Sequence, residues 1–153
     1  MSESNLLTRL WRCRRGNALV EFVFVAPMLL LVLFGSSEFG RLFIQYHKID
    51  KGIRAATRYL SRVPCEGVTA RLDTARNIAL RGTVDSSGSL VVPAWDDPTT
   101  VTLLTSVTNC ATAPPPTVQL RATVTLPFRY LPFLGLGNTL TVQAEHEERH
   151  VGL

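Results

Sequence analysis

Residues 18–34 read ALVEFVFVAPMLLLVLF, an apolar run broken only by Glu21 and Pro27. As a helix this run is about 25 Å long, close to the thickness of a bilayer's hydrocarbon core. A proline that would break a soluble helix is tolerated in a spanning one, where it introduces a kink. Past the run the pattern becomes amphipathic. Leu42, Tyr46, Ile49, Ile53, Ala56 and Leu60 recur every three or four positions, and Arg41, Gln45, Lys48, Asp50, Lys51, Arg54, Arg58 and Arg62 stand between them. One face therefore packs and the other is wet. The two segments join into one helix over 18–62, which ends at Val63-Pro64 because the residue before a proline is pushed away from helical angles.

A second, shorter helix is predicted over 69–81, with Val68, Leu72, Ala75 and Ala79 on one face and Gly82 as its stop. Residues 83–100 carry turn chemistry, with one short strand at 90–92. From residue 101 the chain turns to β-branched residues and period-two alternation, which predicts strands at 101–108 (VTLLTSVT), 118–126 (VQLRATVTL) and 140–146 (LTVQAEH). Pro114, Pro115 and Pro116 stiffen the first connection between them. The second connection, FRYLPFLGL over 128–136, is apolar and aromatic, so it either packs on the sheet or offers a contact surface. The fold class that follows is α+β, pilin-like in plan: a long N-terminal helix lays its outer stripe on a small antiparallel sheet.

Charge sharpens the picture of the N-terminus. The net charge of +4 is concentrated in residues 1–16, where Arg9, Arg12, Arg14 and Arg15 face only Glu3; the rest of the chain carries +1. No basic stripe remains of the kind that binds phosphates, so nucleic acid is not expected as a partner. Arginines before the apolar run and none directly after it place the N-terminus in the cytoplasm and residues beyond about 35 outside. In that exported part lie Cys65 and Cys110, while Cys13 is in the basic leader. A Cys65–Cys110 disulfide would close a loop of about 46 residues and stabilise by about 4 kcal/mol on the chain-entropy estimate; the bland reading is two buried thiols. Neither cysteine has metal ligands at zinc spacing nearby, and no cofactor is expected.

The sharpest local signal is Arg14-Arg15-Gly16-Asn17-Ala18-Leu19-Val20-Glu21-Phe22: a basic run, a glycine, and a carboxylate five residues later inside the apolar segment. A carboxylate in hydrocarbon is costly, so an intramembrane Glu is a functional hypothesis by default. A cut after Gly16 would create an α-ammonium at Asn17. Glu21, four residues along, can neutralise that charge on its own helix or on a neighbour's.

This spacing resembles the processing site of type IV prepilins. The wider segment, with Glu21-Phe22, Pro27, Glu38-Phe39-Gly40-Arg41 and Ala55, Ala56, Arg58 and Tyr59, is similar over about 50 residues to the N-terminal signature of TadE-like minor pilins of Flp/Tad pili. Pro132-Phe133-Leu134 and the Glu148-Arg149-His150-Val151-Gly152 ending also look family-like. The resemblance implies a pseudopilin of the bacterial inner membrane, cut between Gly16 and Asn17 by a prepilin peptidase. It implies a periplasmic C-terminal domain, carried into the extracellular pilus if the subunit is incorporated. The implied partners are other pilins and Tad inner-membrane assembly proteins, met through the N-terminal helix, and the lipid bilayer; the implied role is assembly of adhesive pili. The corresponding division is a leader at 1–16, the long helix at 17–62 with its span at about 18–35, and an extracytoplasmic α+β domain at 63–153.

Other chemistry has little to stand on. There is no GxSxG, P-loop or HExxH, and Gly135-Leu136-Gly137 lacks the third glycine of a dinucleotide site, so no enzyme is expected. His146 and His150 with Glu147 and Glu148 read as solvated side chains of a terminal strand and tail. Asp96-Asp97 reads as turn chemistry. Glu38 beside Arg41 has the spacing of a helix-surface ion pair marking the membrane exit, with packing on a partner helix as the other reading. The alternative function is a membrane-anchored or secreted domain never built into a pilus, either uncleaved or cut before Glu38 by signal peptidase acting on Gly35 and Ser37.

Overall fold

In the computed structural model of the chain, the described residues are 14–105, 116–130, 132, 135 and 137–152. Helix α1 spans Arg14–Leu60 without interruption, passing through Pro27. It begins earlier than the sequence predicts and ends two residues sooner. The end is a tightened turn in which Arg62 and Val63 donate to the carbonyls of Tyr59 and Leu60, just before Pro64.

A 3-10 turn at Cys65–Gly67 leads through irregular turns to α2, Leu72–Arg81. Its start falls later than the predicted residue 69, since Arg71 and Leu72 still donate to Gly67 and Thr69 in turns. Gly82 closes α2 in the left-handed region at φ 73, as expected of the stop residue. The short strand expected at 90–92 does not form. Val91 donates to Leu80 O and Val92 is buried, so this segment packs on the helices without joining the sheet. A second 3-10 turn at Pro98–Thr100 is capped by Asp97, whose Oδ1 accepts from the Thr99 N–H and hydroxyl; the turn reading of Asp97 stands.

The sheet consists of β1 (Val101–Leu103), β2 (Thr117–Pro127) and β3 (Thr139–Arg149), antiparallel in that order. Residues 106–108 of the first predicted strand lie outside the described residues. The third strand runs three residues beyond its predicted end, because Glu147, Glu148 and Arg149 pair with Gln119, Val118 and Thr117. Val118, Leu120, Ala122, Val124 and Leu126 all point into the core, as the alternation predicts. Against them lie Ile49, Ile53, Ala56 and Leu60 of α1, each with no exposed surface.

Two further contacts fix the layers. A Cβ on Gly52 would overlap the Ala79 carbonyl, so this glycine sets how closely α1 and α2 approach. Trp95, missed by the sequence reading, fills the core from the loop, and its indole N–H donates to Thr100 Oγ1 at 2.8 Å.

Candidate functional site: the apolar helix and its carboxylates

The first half of α1 stands clear of the domain. From Leu19 to Phe34 every large apolar side chain is exposed, and none of the most apolar stretch is buried within the molecule. This segment is long and apolar enough to cross a membrane, and it suggests membrane anchoring. Gly16 and Asn17 lie within the helix, so the peptide bond between them is helical. Glu21 and Phe22 follow on the exposed helix surface. Glu21 has no ion-pair partner among the described residues, which leaves its carboxylate for something outside this chain's folded part.

The second carboxylate behaves differently. Glu38 forms the expected ion pair with Arg41, but it is 0% exposed, so the expected surface position of that pair is corrected. Arg41 Nη2 donates to Glu38 Oε1 at 2.5 Å, and Arg41 Nε donates to the same oxygen at 3.2 Å. From the connection after β2, the Arg129 N–H donates to Oε1 at 3.0 Å and the Tyr130 N–H to Oε2 at 2.8 Å. Burial alone would raise the carboxyl's pKa. The Arg41 hydrogen bond, the two backbone N–H groups and the Arg41 charge outweigh it, and the net displacement is downward. Arg41 also donates to the Pro127 carbonyl at 2.6 Å. Glu38 and Arg41 together tie α1 to the end of β2.

That tie draws the connection down beside the apolar run. Phe128 packs against the core, and the Tyr130 ring lies 5.7 Å from the ring of Phe34, the last residue of the run, with the Arg129 guanidinium 5.7 Å from the Tyr130 centroid. The start of this segment packs, as one of the two possibilities foreseen for it requires, while Arg129 and Tyr130 remain exposed.

At the opposite end of the domain the chain terminus is clipped to the end of α1. His150 is buried, its Nε2 is 2.8 Å from the Val63 carbonyl, and Val151 and Gly152 donate to Ser61 O. His150 is thus a packed residue, contrary to the expectation of a solvated tail. Among the described residues no group of three or more His, Cys, Asp or Glu is placed to hold a metal ion. Cys65 is disulfide-bonded; Cys13 and Cys110 lie outside the described residues.

A signal for the burial of Glu38 was present in the sequence. Glu38 stands one helical turn before Leu42, in phase with the stripe Leu42, Tyr46, Ile49, Ile53 that packs on the sheet. For His150 no comparable periodicity exists, because its burial depends on where a non-helical tail meets another element.

No curated protein and no solved structure matches the chain. Residues 16–58 match the model of the family described as TadE-like protein. The match opens at Gly16, takes in the whole apolar run with Glu21, continues through Glu38 and Arg41, and stops two residues short of the end of α1. The helix that carries the apolar segment and both carboxylates is thus similar, over residues 16–58, to that of TadE-like proteins.

Proposed function

We propose that this chain is a minor pilin or pseudopilin of a Tad pilus, cut by a prepilin peptidase between Gly16 and Asn17, whose apolar helix then joins those of other pilins during pilus assembly. The observation that carries this reading is the coincidence of the TadE-like match, which starts at Gly16, with an apolar helical run whose large side chains are all exposed and whose one carboxylate, Glu21, has no ion-pair partner among the described residues. Cleavage would bring an ammonium to Asn17, one helical turn from Glu21, and pairing of the two charges in lipid would stabilise a helix–helix contact. The resting place of the uncut chain is the bacterial inner membrane, N-terminus in the cytoplasm and sheet domain in the periplasm. Catalysis and bound cofactors have no part in this reading.

The peptide bond to be cut lies in a helical turn, which must unwind to enter a protease. The same observation favours the second reading, an uncleaved membrane anchor. Release by a cut before Glu38 is less well supported, because that bond lies in mid-helix and Glu38 is locked by four hydrogen bonds. The deciding experiment is the intact mass and N-terminal sequence of protein extracted from its native membrane. Asn17 at the terminus is expected; an intact leader or a start at Glu38 overturns the pilin mechanism.

A further inference from the structure

We propose that the connection after β2 is a membrane-contacting foot, in which Tyr130, with Phe34 and Phe39, sits at the headgroup level of the outer leaflet and Arg129 binds a lipid phosphate. The proposal rests on residues 18–34 being the span, and takes it further by assigning lipid contact to the extracytoplasmic domain itself.

Position along α1 sets the depth. If Phe34 marks the outer edge of the hydrocarbon, Glu38 lies about 6 Å and Phe39 about 7.5 Å beyond it, within the headgroup layer. Glu38 accepts from the backbone N–H groups of Arg129 and Tyr130, so these two residues are fixed at that height. Tyr130 then turns its ring back toward Phe34, at a centroid distance of 5.7 Å. The result is three exposed aromatic rings, Phe34, Phe39 and Tyr130, around the point where the helix leaves the membrane. Aromatic side chains concentrate at this level because one end of the residue is apolar and the other tolerates water.

Charge fits the same occupant. Arg129 is exposed and forms no salt bridge among the described residues, and its guanidinium lies over the Tyr130 ring, a place from which it can reach a phosphate. Arg41, by contrast, is already engaged by Glu38 and Pro127. A neighbouring apolar helix would satisfy the rings but would leave the Arg129 charge in an unfavourable place, whereas a phospholipid surface satisfies both.

The test uses the full-length protein in vesicles of phosphatidylethanolamine and phosphatidylglycerol that carry quenchers either near the headgroup or deep in the acyl chain. Two variants supply depth probes, Tyr130→Trp for the foot and Met28→Trp for the span, each measured as its difference from the parent protein, which contributes Trp11 and Trp95. Tyr130→Trp keeps the backbone N–H that Glu38 accepts. Its added emission is expected to be blue-shifted and quenched by the shallow label, while Met28→Trp is quenched by the deep one. Adding Arg129→Glu is expected to reduce shallow quenching about two-fold in anionic vesicles. An unquenched Tyr130→Trp beside a quenched Met28→Trp overturns the foot and leaves the span standing. Unquenched Met28→Trp removes the span, and the foot with it. Quenching of Tyr130→Trp that disappears as the protein-to-lipid ratio rises assigns this face to a second copy of the chain and likewise overturns the proposal.

Discussion

Glu38 and Tyr130 stand 92 positions apart in the chain and are joined by a 2.8 Å hydrogen bond from the Tyr130 backbone N–H to the Glu38 carboxylate. Together with the neighbouring bond from Arg129, it makes one buried side chain the link between the membrane helix and the sheet domain. A rigid link at that point determines how the domain stands relative to the helix.

Removing the carboxylate leaves two backbone donors and the Arg41 guanidinium without their acceptor. Glu38→Ala is expected to destabilise the domain by about 2–4 kcal/mol, somewhat under the figure for a fully buried pair because Arg41 is partly exposed and can turn to water. Thermal melting in detergent should show a fall in Tm on the order of 10 °C. Equal melting of variant and parent would mean that the link carries no stability.

The same carboxylate makes stability depend on pH in a definite direction. Its folded pKa is depressed below the ordinary value of 4.5, so the folded protein binds fewer protons there than the unfolded chain. Its contribution is therefore fully present above about pH 4.5 and fades as pH falls through the folded value. Denaturant unfolding measured between pH 7 and pH 3 should show a steeper acid loss for the parent than for Glu38→Gln. Identical pH profiles would exclude Glu38 as the responsible group.

Gly52 is predicted to tolerate no side chain. A Cβ there overlaps the backbone carbonyl of Ala79, which cannot swing aside as a flexible side chain would. Gly52→Ala should cost about 1–3 kcal/mol by forcing α1 and α2 apart, despite alanine's higher helix propensity. Gly35→Ala is the matched control: nothing lies within 4 Å of its Cβ position, and stability should hold or rise slightly.

Reduction should weaken the sheet domain. Cys65 is disulfide-bonded, and peptide mapping under non-reducing conditions is expected to find it joined to Cys110. Breaking the bond should lower unfolding stability by about 2–4 kcal/mol. Recovery of Cys65 in a peptide linked to Cys13 would instead place the bond across the leader.

The parts of this fold that were legible in the sequence are those set by local periodicity. The stripe Leu42, Tyr46, Ile49, Ile53, Ala56, Leu60 and the alternation from Val118 to Leu126 each encode one buried face, and each face packs as the pattern requires. What escaped depends on the meeting of distant segments. Glu38 is in phase with the buried stripe, but what satisfies its charge there shows only when Arg129 and Tyr130 arrive from the far end of β2, and His150 looks solvated until Val63 faces it. Trp95 sits in a stretch with no period at all, so nothing local marks it as core. The 16–22 motif was readable for another reason: a carboxylate in an apolar run carries its own cost, whatever the rest of the chain does.

Glu21 is the residue on which assembly should turn. It is exposed on the helix and has no ion-pair partner among the described residues, so Glu21→Ala should leave the melting temperature of the sheet domain unchanged. Insertion should persist too, since removing a charge from an apolar segment makes it easier to bury in lipid. What the variant loses is the partner for an ammonium at Asn17, an interaction strong in hydrocarbon and weak in water. Membrane fractionation beside quantification of pili in cells should therefore separate the two steps, with full membrane recovery and loss of assembly. Glu21→Asp, which keeps the charge on a shorter stem, should restore part of the activity that Glu21→Gln does not. Normal assembly by Glu21→Ala would show that the helices associate through apolar packing alone.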